Sequence, residues 1–68
     1  MPNIIEGLLS EIDRVKEIIA EYEEQPNNAG ALGASIMKQD IKEAKKVMAY
    51  NDTVGMMRMY EKLKELEL

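Results

Sequence analysis

The sequence predicts an all-α fold: an antiparallel helical hairpin followed by a third helix, completed as a homo-oligomeric bundle by further copies of the chain. Three observations carry that prediction. Apolar residues recur at alternating three- and four-residue spacing through three separate stretches. Short breaks at Gln25-Pro26-Asn27-Asn28 and Asn51-Asp52-Thr53 separate those stretches with turn-forming residues. The chain has 68 residues with no Cys and no His, so a disulfide or a thiolate or imidazole metal site cannot stabilise it. A chain this short is marginal alone, and oligomerisation is the remaining route. Residues 1–68 form one domain, with helices expected over about 3–24, 29–50 and 53–66.

The first helix opens at Asn3, which with Glu6 makes a capping box in which Asn replaces the usual Ser or Thr. Ile5, Leu8, Ile12, Val15, Ile19 and Tyr22 then form a coiled-coil-like seam, widened by Ile4, Leu9 and Ile18. Gly7 costs about 1 kcal/mol relative to Ala in a helix; it reads either as a close packing point or as a tolerated surface residue. The outer face carries Glu11, Asp13, Arg14, Lys16, Glu17, Glu21, Glu23 and Glu24. Carboxylates in the last turns oppose the helix dipole. That face is either solvated or a docking site for basic residues of another subunit or partner.

Pro26 disfavours a helical Gln25, and the short link implies a tight hairpin. Asn28 is the expected N-cap of the second helix. Gly30, Ala34, Met37, Ile41, Ala44 and Met48 share one face, with Leu32, Ile36 and Val47 extending it sideways. Lys38, Lys42, Lys45 and Lys46, with Asp40 and Glu43 among them, make the polar face. Residues 3–24 hold two basic and seven acidic side chains, net −5, whereas residues 29–50 hold four basic and two acidic, net +2. Antiparallel pairing therefore sets an acidic helix against a basic one. In the third helix Asp52 or Thr53 is the cap, and Met56, Met59, Leu63 and Leu66 continue the spacing beside Met57 and Tyr60. Its Met residues read as core filler or as an adaptable binding face.

Composition narrows the function. A net charge of −4 argues against general nucleic-acid binding. No apolar run reaches membrane-spanning length, and no signal peptide is evident, so a cytoplasmic protein is expected. Without His or Cys, and with Ser10 and Ser35 inside helices, no catalytic constellation is legible, and neither an enzyme nor a cofactor is expected.

The residues suit binding better. Gly30 and Gly33, with Ala34, leave the start of the second helix nearly bare. Small residues of this kind either let another helix approach closely or expose backbone N–H groups to a phosphate. Lys38, Arg58 and Tyr60 are the candidate side chains to complete a phosphate and base site.

From Gly30 to Leu66 the chain resembles short reading frames of phages and prophages. The residues carrying the resemblance are Gly30-Ala31-Leu32-Gly33-Ala34-Ser35-Ile36-Met37, Asp40-Ile41, Asp52 with Val54 and Met56 or Met57, and Tyr60-Glu61-Lys62-Leu63-Lys64. Similar frames carry Gly before the Asp, where this chain has Asn51. Small helical phage proteins include inhibitors of host defence, some of them oligomeric sponges that sequester cyclic nucleotide signals. The resemblance implies a non-catalytic antagonist of a host process that sequesters a nucleotide signal, and it transfers no individual site residue. The alternative expectation is a protein-interaction module, an adaptor or inhibitor of a host protein, using the acidic first helix or the Met-rich third.

Overall fold

The computed structural model describes residues 3–66. The chain runs through α1 (Ile4–Glu23), a 3-10 turn (Pro26–Asn28), α2 (Ala31–Ala49) and α3 (Thr53–Lys64), and each helix packs on the other two. This is the all-α hairpin with a third helix that the spacing predicts.

Each boundary follows from local chemistry. Asn3 is extended, and its Oδ1 accepts the Glu6 N–H at 2.9 Å. α1 stops because Pro26 holds Gln25 extended, at ψ 136. Asn27 and Asn28 then both take φ 57, a left-handed conformation that Asn tolerates better than most residues. Asn28 is therefore not the N-cap of the second helix. A capping residue needs extended backbone so that its side chain can turn back over the first turn. The cap passes to Gly30, which has no side chain to offer, and α2 starts at Ala31 rather than near 29.

The other end of α2 closes as a Schellman motif. Asn51 is left-handed (φ 53), its N–H donates to Met48 O at 3.0 Å, and the Asp52 N–H donates to Val47 O at 2.9 Å. The Asp52 side chain then caps α3, accepting the Gly55 N–H at 2.9 Å.

The core comprises Leu8, Ile12, Val15, Ile18 and Ile19 of α1, Ala34, Met37, Ile41 and Ala44 of α2, and Met56, Met59 and Leu63 of α3. Gly7 faces the Tyr60 ring, and Arg14 reaches the carbonyls of Leu63 and Leu66. α3 thus runs parallel to α1 and antiparallel to α2. At 1.5 Å per residue α3 is roughly 18 Å long against roughly 30 Å for α1. It covers only the half of the hairpin remote from the α1–α2 turn.

That shortness explains where the apolar pattern overreaches. Leu32 and Ile36 do not widen the core; they are 75% and 53% exposed. They continue the α2 stripe that lower down, through Asp40 and Val47, meets Lys62 and the Gly55 region of α3. α3 has ended before it reaches them. Ile5 also leaves the expected seam, at 41% exposed.

Candidate functional site

The bare start of α2 is packed against the end of α1. A Cβ on Gly30 would overlap the Tyr22 carbonyl, and one on Gly33 would lie 2.6 Å from the Tyr22 ring. Ala34 is buried in the core. The small residues thus let α1 and α2 meet within one chain, and the Tyr22 side chain lies over Gly33.

Two clefts flank this hairpin tip. One, of about 380 Å³, is lined by Glu21, Tyr22, Gln25, Ala29 and Gly30. The other, of about 300 Å³, is lined by Tyr22, Glu23, Asn28, Ala31, Ala34, Ser35 and Lys38. Lys38 is in the second cleft, but its Nζ pairs with Glu23 at 2.6 Å, so a bound anion would compete with a carboxylate already in place.

Arg58 and Tyr60 lie elsewhere. Tyr60 packs beside Gly7, which is separated from Tyr22 by roughly 22 Å of α1 at 1.5 Å per residue. Its ring lines a third cleft with Asn3, Ile4, Gly7 and Met57, and the Lys64 ammonium sits 5.8 Å from the ring centroid. Arg58 is exposed and has no ion pair or hydrogen bond among the described residues. At about 100° per residue, Arg58 and Tyr60 project from α3 about 160° apart. Of the five candidates, the fold brings together Gly30, Gly33 and Lys38 at the tip, and places Arg58 and Tyr60 on different flanks of the far half.

Two residues assigned to outer faces have interior roles. Arg14 donates to Leu66 O at 2.8 Å, Leu63 O at 2.7 Å and Lys64 O at 3.3 Å, and pairs with Glu11 at 3.2 Å. It closes the end of α3 from the side of α1. Asp40 is buried and pairs with Lys62 of α3 at 3.2 Å. The signal for Arg14 is its place on the Ile4–Gly7–Glu11–Arg14–Ile18 stripe, whose small and apolar members mark a packed flank.

No group of His, Cys, Asp and Glu able to hold a metal ion occurs among the described residues, and no described helix is long and apolar enough to cross a membrane. Comparison with protein-family models, curated proteins and solved structures finds no match.

Proposed function

We propose that the chain is a non-catalytic interaction protein that works as a homo-oligomer and docks a protein partner at the hairpin tip. The carrying observation is the pair Leu32 and Ile36, bulky apolar side chains standing in water one turn apart beyond the end of α3. Exposed apolar surface of this kind marks interaction sites. Glu21 and Glu24 are exposed at the same tip. The fitting partner presents an apolar anchor with basic neighbours, as an amphipathic basic helix does. The resemblance to phage reading frames makes that partner a host protein and the action antagonism of a host process.

The nucleotide-sequestering alternative needs different copies to supply Lys38 and Arg58, since one chain holds them on separate halves. Native mass spectrometry of gently purified protein, followed by a pull-down from host lysate with wild type and Leu32→Glu/Ile36→Glu, tests the proposal. The expected result is a single host protein retained by wild type and lost by the variant at unchanged helicity. A nucleotide-sized mass retained without any protein partner would replace this reading with sequestration. A captured protein indifferent to both substitutions would remove the tip from it.

A further inference from the structure

Each helix of the hairpin has a flank turned away from α3, and the two flanks carry predominantly opposite charge, Lys16 (two residues from Arg14) being the one cation on that of α1. On α1, Gly7 and Glu11 lie toward α3. Ile5 and Leu9, each two residues from Gly7, and Asp13, two from Glu11, therefore point about 160° away from it. Ile5 and Leu9 are 41% and 50% exposed, and Asp13 is exposed with Glu6 and Glu17 beside it. On α2, Asp40 and Val47 face α3, so Lys42 and Lys45 point away by the same count. Among the described residues, Lys38 is the only lysine of α2 with an ion pair; Lys42, Lys45 and Lys46 have none, and neither do Glu6, Asp13 and Glu17. The complementary charges of α1 and α2 are thus mostly unspent within one chain.

We infer that this back face of the hairpin is the self-interface, with α1 of one copy lying antiparallel on α2 of a second copy. The inference rests on the homo-oligomeric part of the proposed function and names the surface that would make it. A two-fold axis parallel to the helices, placed between two back faces, sets each α1 over the other copy's α2 at the height it has within its own chain. Asp40 is level with Lys62, and Arg14 with the carbonyls at the end of α3, so Asp13 is level with about residue 39 of the second copy's α2, and Lys42 lies roughly 4–5 Å further along. Side chains tilt toward their own helix N-terminus, so Asp13 and Lys42 lean toward each other. One to two turns further down, Leu9 meets the aliphatic stem of Lys45, and Glu6 meets Lys46. Two-fold symmetry makes every such contact twice. Parallel stacking without the axis would set acidic α1 on acidic α1, which like-charge repulsion disfavours.

The test uses two exposed substitutions, Asp13→Lys and Lys42→Asp, with helicity checked by circular dichroism and association read by sedimentation velocity and native mass spectrometry. Each variant alone places two like-charged pairs in the interface and is expected to weaken association about ten-fold or more. Mixed in equal amounts they form a heteromeric pair in which both contacts are restored, so association recovers. Failure of the mixture to recover overturns the Asp13–Lys42 contact. An oligomeric wild type indifferent to both substitutions overturns this interface and leaves self-association standing. A wild type that stays monomeric at high micromolar concentration overturns both.

Discussion

Arg14 is the residue whose loss the fold should feel most for its surface position. Its side chain is 38% exposed, yet its guanidinium ties three carbonyls at the end of α3 to α1 and is oriented by Glu11. The last carbonyls of a helix have no partners within it. Here Leu63 O also accepts the Leu66 N–H at 3.1 Å, and the charged donor adds to that bond while reaching Lys64 O and, just past the helix, Leu66 O. A hydrogen bond to a charged group contributes roughly 1.5–3 kcal/mol in favourable settings. With water able to replace part of the interaction, Arg14→Met should cost about 2 kcal/mol in total. Against roughly 3–10 kcal/mol for a domain of this size, that is a large fraction. At about 4–8 °C per kcal/mol the melting temperature should fall by roughly 8–16 °C. Thermal and urea unfolding followed at 222 nm measure it. Arg14→Lys keeps the charge but not the fork, and should recover less than half. If Arg14→Met unfolds within about 0.5 kcal/mol of wild type, the clamp adds nothing beyond ordinary surface solvation and the reasoning fails.

Other substitutions test the remaining joints. Gly30→Ala puts a methyl into the Tyr22 carbonyl, which as backbone cannot easily give, and should cost about 1–3 kcal/mol by urea unfolding; a neutral result would mean that α1 and α2 part without penalty. Asn51→Val forces a β-branched residue into the left-handed position and should lose about 1–2 kcal/mol, whereas Asn51→Gly should be neutral or slightly stabilising. Removing Lys62 leaves the buried Asp40 carboxylate without its partner, so Lys62→Ala should destabilise by about 1 kcal/mol more than Lys64→Ala. Gly33→Leu should act on unfolding rather than on association, because the Tyr22 ring of the same chain already lies over that position.

The helices and most of their ends were legible because their causes are local. Asn3 and Asp52 cap through bonds to residues three positions ahead, and Pro26 acts on its immediate neighbour. Asn28 misled because its identity suits both an N-cap and a left-handed turn, and only the path of the chain past Tyr22 separates the two. The burial of Asp40 and the clamp by Arg14 depend on α3, many residues away in sequence, and a helical wheel drawn for one helix cannot carry that information. Leu32 and Ile36 show the same limit from the other side. They fall on an apolar stripe, but the pattern does not say where the covering helix stops. Of the candidate site, the cluster at the tip was legible as small residues and a lysine. Its meaning was not, since the Tyr22 ring over Gly33 and the Glu23–Lys38 pair are tertiary facts.

The brevity of α3 also has a kinetic consequence. A helix of twelve residues is too short to persist by itself, so its existence depends on remaining docked. The hairpin joins neighbouring segments and closes a short loop, while α3 is fastened to α1 across about half a hundred residues of sequence. Opening should therefore begin with α3 as a unit, and amides of Met56–Lys64 should exchange with solvent before those of Ile12–Ile19. Each such excursion bares Leu8, Met37 and Ile41 together, a transient groove the length of the departed helix.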